Sequence, residues 1–168
     1  NKIFIPAEDR LFVGDLDSET LEELEVPDDW AFDRESTFYI TASDDGSRVF
    51  FSDGNIFFVT DESFNELYSA NCLSSSRCSA EFRDGILYML TDYFLILYDS
   101  DDGTLIKQIP VTLYGNGVLK MYFDENNHQL FIQTGDQISI LDTETWIELT
   151  SIENVYCYHK ETDRFFVF

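Results

Sequence analysis

Basic residues are scarce in this chain. Ten Lys and Arg stand against thirty-three Asp and Glu among 168 residues, a formal net charge of −23. A surface of that sign repels nucleic-acid phosphates and anionic headgroups, which excludes both as partners. Long apolar runs are missing too. Phe94-Leu95-Ile96-Leu97 is typical, far short of the ~18 apolar residues a membrane-crossing helix needs, so no direct membrane insertion is expected. Three cysteines are too few for a disulfide scaffold. His128 and His159 are the only histidines, and neither has neighbours spaced like metal ligands. There is no Gly-x-Ser-x-Gly, no His-Glu-x-x-His and no Gly-rich turn feeding a helix. Hydrolase, metalloprotease and phosphate-loop chemistry therefore have no support, and the reading leans away from an enzyme. The opening Asn1-Lys2-Ile3-Phe4-Ile5-Pro6 lacks the apolar stretch of a signal peptide. The absence of an initial Met is read as a processed product or a piece of a longer chain.

What is present points to a packed fold. Hydrophobic residues make up 44% and aromatics 16%, including sixteen Phe and nine Tyr, too apolar for a disordered chain. Four segments superpose: Leu11 to Leu21, Ile56 to Phe64, Phe94 to Leu105 and Ile138 to Trp146. Each reads as an apolar strand, an Asp, a polar turn and a second strand. Aligned on Asp17, Asp61, Asp99 and Asp142, they recur at steps of 44, 38 and 43 residues, a period that belongs to repeat architectures. Upstream of Asp61, Asp99 and Asp142 lie two more strands. Thr37 to Thr41, Ser79 to Phe82 and Leu119 to Phe123 lead through Asp44-Asp45-Gly46, Arg83-Asp84-Gly85 and Asp124-Glu125-Asn126-Asn127 into Arg48-Val49-Phe50-Phe51, Ile86 to Leu90 and Gln129 to Ile132. Gly and Asp supply the backbone freedom and local hydrogen bonds that tight turns require. Several strands are apolar on consecutive residues, which predicts burial on both faces. Ser18 to Val26 alone looks helix-competent, and the repeat reassigns it to a turn and an outer strand.

The pattern of apolar strand, Asp-x-x-Thr and outer strand, followed by inner strand, Asp-Gly turn and apolar strand, resembles the repeat of YVTN-type and WD-like β-propellers across essentially the whole chain. The Gly-His and Trp-Asp dipeptides of WD repeats and the quinoprotein tryptophan docking motif are missing, so no functional residue is carried over. The resemblance implies an all-β fold of about four four-stranded antiparallel meanders, with residues 1–168 forming one propeller domain or propeller fragment. The chain starts and stops on what reads as the second strand of a blade. Part of a larger propeller is the favoured expectation; closure as a four-bladed ring is the other.

Candidate sites are few. Asp99-Ser100-Asp101-Asp102-Gly103-Thr104 offers hard oxygen ligands suited to calcium, with Asp99, Asp101 and Asp102 as the set. It is one residue short of the Asp-x-Asp-x-Asp-Gly spacing, lacks the later Glu, and coincides with an ordinary turn of the repeat. No other cofactor is expected. Trp30, Tyr93, Tyr114 and Trp146 fall at strand ends or in loops, where an aromatic serves either the core or a ligand. Cys72 and Cys78 bracket a Ser-rich segment and are read either as a small-loop disulfide or as two free thiols; Cys157 is expected in a strand. A bridge, together with the missing Met, points outward from the cytoplasm. The acids are explained by solvated turns, by adaptation to high salt, or by a cationic or metal-binding surface. The functional expectation is a non-catalytic interaction or scaffold module with an acidic surface, presented to a protein partner with a basic surface. The alternative is an extracytoplasmic glycan- or ligand-binding propeller attached to a larger surface protein.

Overall fold

The computed structural model describes residues 2–7, 10–15, 17–24, 39–52, 56–72, 78–111, 119–135, 137–153, 155–159 and 164–167. Every regular element among them is a strand. A three-stranded sheet comes first, β1 (Lys2–Ala7), β2 (Arg10–Asp15) and β3 (Thr20–Leu24). Three four-stranded blades follow: β4 (Tyr39–Ala42), β5 (Arg48–Ser52), β6 (Ile56–Asp61) and β7 (Glu66–Asn71); β8 (Cys78–Arg83), β9 (Ile86–Thr91), β10 (Phe94–Asp99) and β11 (Leu105–Pro110); β12 (Leu119–Asp124), β13 (Gln129–Thr134), β14 (Gln137–Asp142) and β15 (Glu148–Glu153). A two-stranded sheet, β16 (Val155–His159) and β17 (Arg164–Val167), ends the order. All pairs are antiparallel and sequential, the meander expected from the sequence. Cys157 falls in β16, and residues 18–24 of the helix-competent stretch are the β2–β3 turn and β3; the rest lies outside the described residues. First strands lie side by side, β4 beside β8 and β8 beside β12.

The consecutive apolar residues are explained by what flanks each blade. In β9, Leu87 and Met89 join Phe50, Phe57 and Val59 of the preceding blade in one core layer. Their neighbours Tyr88 and Leu90 point the other way, into a layer with Met121, Leu130 and Ile132 of the following blade. Side chains alternate across a strand, so a strand buried on both faces must be apolar at every position. Each such burial is worth about 1.5–3 kcal/mol. The fourth strands show the converse: β7, β11 and β15 are exposed along most of their length.

The turn between third and fourth strands is a repeated device. Asp61, Asp99 and Asp142 each end a third strand and turn a carboxylate back onto the amides of the turn. Asp61 accepts from the N–H groups of Ser63 and Asn65, Asp99 from Asp101, and Asp142 from Glu144 and Thr145. In the first sheet this place belongs to Asp15, not to the Asp17 on which the sequence aligns. Asp15 ends β2, and its carboxylate accepts from the amides of Asp17 and Ser18. The left-handed residue of the turn confirms the register. Glu19, Gly103 and Trp146, each four residues past its Asp, have φ of 57°, 72° and 62°. The alignment was off by two because Asp15 and Asp17 are both acids, and only the hydrogen bonds separate the capping carboxylate from one in the turn.

Candidate interaction face

Connections between first and second strands and between third and fourth strands emerge at the same end of each blade, and in two blades they are tied together there. In the blade of β8–β11, the Ser100 N–H donates to the Gly85 carbonyl at 3.0 Å; in the blade of β12–β15, Thr143 donates to His128 at 2.8 Å. Gly85 and His128 are left-handed, with φ of 74° and 52°. A backbone bond between two turns fixes both, so each of these two blades presents a rigid double turn.

This face is acidic. Its turns carry Asp44, Asp45, Asp61, Glu62, Asp84, Asp101, Asp102, Asp124, Glu125 and Glu144, against Arg48, Arg83 and His128. The capping carboxylates are held in the charged form by the turns they close. Hydrogen bonds from Ser43 and then Ser47 lower Asp45 to about 2. Asn65 lowers Asp61, and Thr145 lowers Asp142. A group hydrogen-bonded as an anion stays an anion.

The two cationic side chains span the joints between blades. Arg48, at the start of β5, donates to Asp101 of the next blade at 3.0 Å and to the Ser47 carbonyl at 2.9 Å. Arg83, at the end of β8, pairs with Glu125 of the next blade and with Asp84 at 3.5 Å, and its guanidinium lies 4.8 Å from the ring centroid of Phe123. Each joint is also a groove. The one between the blades of β4–β7 and β8–β11 has a volume of about 310 Å³, with Asp45, Asp84 and Asp101 around Phe82 and Ile86. The next, about 380 Å³, has Asp84, Asp124 and Glu125 around Tyr88, Phe123 and Trp146.

The residues singled out from sequence are dispersed. Trp146 is half-buried, with Tyr88 at 6.2 Å between ring centroids and Lys107 of the preceding blade 5.9 Å above its ring. Tyr93 is 58% exposed in the β9–β10 turn, at the opposite end of the blade. Trp30 and Tyr114 lie outside the described residues. Asp99, Asp101 and Asp102 address separate partners: the Asp101 amide, Arg48 and the Thr104 amide. Among the described residues, no three His, Cys, Asp or Glu side chains are placed to share one ion. Cys72 and Cys78 are buried and are not joined by a disulfide. The Cys72 thiol, hydrogen-bonded to Cys78, and then burial push Cys78 upward, so neither is placed as a reactive nucleophile.

Arg48, Arg83, Tyr88 and Phe123 are the groove residues that sequence reasoning missed. Their signal was weak but present: two of the few cations in the chain stand at strand ends beside acidic turns. No helix is long and apolar enough to cross a membrane among the described residues.

No protein-family model and no curated protein matches the chain. Solved structures do. A chain of the crystal structure of the mitotic checkpoint complex superposes with a TM-score of 0.69 at 15% identity, over 92% of this chain and 47% of that one. BamB from Moraxella catarrhalis gives 0.58 at 14% identity, over 91% and 48%. The chain spans about half the length of these structures. At such identities the likeness speaks of fold alone, and together with the sheets it shows that the chain is built as blades of a β-propeller similar to WD-like propellers.

Proposed function

We propose that this chain is a non-catalytic interaction module whose acidic double-turn face receives a protein partner with a basic surface. The observation that carries the reading is the joining of carboxylates held in the charged form to turns that, in the blades of β8–β11 and β12–β15, are fixed to one another by backbone bonds. A preorganised field of one sign steers an oppositely charged surface into register and raises its association rate. The two grooves add relief for side chains of the partner to enter. The repeated blades supply the stiffness such a surface needs.

The test is a pull-down from the native source with salt-step elution, run beside a variant carrying Asp44→Asn, Asp84→Asn and Glu125→Gln. These side chains are exposed, and because Asp84 and Glu125 both pair with Arg83, circular dichroism and urea unfolding of the variant check that the fold is kept. The expected result is a discrete partner released at moderate salt and lost with the neutralised face. A partner retained equally by both proteins at every salt step sinks the reading.

A further inference from the structure

The two grooves share their electrostatics and differ in their floors, and that difference carries a specific assignment. Building on the acidic-face reading, we infer that the groove between the blades of β8–β11 and β12–β15 takes a single arginine or lysine side chain of the partner. Its floor is aromatic. Tyr88 stands between Phe123, at 4.8 Å and 66°, and Trp146, at 6.2 Å and 37°. Acids line it: Asp84 and Glu125, 84% and 77% exposed at the side chain, share the single guanidinium of Arg83, and Asp124 stands with them. A cation over an aromatic face is attracted by the negative face of the ring, and the attraction grows as water is displaced. Carboxylates at the rim meet the charged head while the rings take the aliphatic stem.

The chain already uses these rings in this way. The Arg83 guanidinium lies 4.8 Å from the Phe123 centroid and the Lys107 ammonium 5.9 Å from that of Trp146. These two contacts show that the rings attract cations, and beyond Arg83 the lining acids Asp84, Asp124 and Glu125 leave an excess of negative charge for a cation on the remaining ring surface. At about 380 Å³, the groove falls within the size range of small-ligand sites. The neighbouring groove of about 310 Å³ has a similar acidic rim but rests on Phe82 and Ile86. It lacks the three-ring floor and serves as an internal control.

The test uses the chain with Trp30→Phe, leaving Trp146 as the one indole. An end-blocked Gly-Ser-Arg-Ser-Gly peptide is titrated against Trp146 fluorescence, with the citrulline peptide as neutral counterpart. Longer basic peptides are then measured by calorimetry against Trp146→Leu, Asp84→Asn and Asp45→Asn, each checked for fold by circular dichroism. Asp84 has a φ of 50°, a conformation Asn accepts readily, so this variant stays informative even if Trp146→Leu unfolds. The expected result is saturable response to arginine and none to citrulline, with affinity falling about tenfold in Trp146→Leu and Asp84→Asn and far less in Asp45→Asn. Equal losses at Asp45 and Asp84 with no loss at Trp146 would overturn the assignment while leaving the acidic face standing. Failure of every basic peptide to bind wild type would overturn both.

Discussion

The ring of Tyr68 lies so close over Gly103 that a Cβ there would come within 2.5 Å of its Cδ2 and 2.7 Å of its Cγ. Tyr68 follows the bulge of its outer strand, and Gly103 is the left-handed residue of the turn in the next blade. One blade further on, Lys107 and Trp146 occupy the same two places, with the small partner exchanged for a large one. The joint between blades is thus filled from either side: a large ring on the strand requires glycine in the turn, and a large ring in the turn meets a slender lysine. Gly103→Ala should destabilise the chain by about 2–3 kcal/mol, from overpacking against Tyr68 and from a side chain at φ of 72°. Urea unfolding measures it, and Tyr68→Ala in the same background should recover the steric part. Additive losses in that double-mutant cycle would show that the two residues do not compete for space.

The same pair shows how far the sequence could be read. Asp-ended strands at near-constant spacing made the repeat and the order of strands legible, because a capping carboxylate and an apolar run are local features that physics demands at each repeat. Register was less secure. Asp15 and Asp17 are chemically alike, and only the backbone bonds distinguish the cap. The grooves were not legible at all. Tyr88, Phe123 and Trp146 come from different strands and turns, and their meeting depends on how one blade seats against the next. Tyr93 and Trp146 looked equivalent as loop aromatics, yet one emerges at each end of the blade.

Acid should unfold the chain in a defined window. Asp45 is lowered to about 2, first by the Ser43 hydroxyl, and Asp15, Asp61, Asp102 and Asp142 are lowered as well. A carboxylate whose folded-state value is depressed contributes stability above its unfolded value, near 3.8, and that contribution is lost as pH falls toward the folded value. Above about pH 4 acidification also relieves repulsion among the excess acids, so the urea midpoint should hold or rise on the way down from neutrality. Below about pH 4 it should fall, steepest between the unfolded and folded values and levelling off below about pH 2. Asp45→Asn should be flatter than wild type across that interval; parallel curves would deny the cap its pH dependence.

Cysteine accessibility offers an independent check on the joint between the blades of β4–β7 and β8–β11. Cys72 and Cys78 sit in the same core layer as Phe50, Phe57 and Met89, and the Ser52 hydroxyl lies 3.3 Å from the Cys72 sulfur. A chromogenic disulfide reagent needs an exposed thiolate, so both should react only through opening of this joint, and promptly once urea has unfolded the chain. Titration of unreduced, denatured protein should find three thiols, Cys157 included. A count of one would mean that the pair is oxidised to a bridge.

Stability should be distributed by layer, not by strand. Ile132 is fully buried in the layer that joins the blades of β8–β11 and β12–β15, while Leu149, an aliphatic residue of similar size in β15, is 52% exposed at the bulge of its outer strand. Removing three carbons at Ile132 strips contacts from two blades at once and leaves a cavity, so Ile132→Ala should cost about 2–5 kcal/mol. Leu149→Ser removes little burial and should stay within about 0.5 kcal/mol. Leu90 lies in the same layer as Ile132, so Leu90→Ala and Ile132→Ala together should depart from additivity. Met89→Ala, in the layer on the opposite face of β9, should combine with Ile132→Ala far more nearly as a sum. Chemical denaturation of the four variants and their pairs measures these couplings. If Met89 and Leu90 couple equally to Ile132, the two faces of β9 do not belong to separate layers, and the assignment of consecutive apolar residues to alternate neighbours fails.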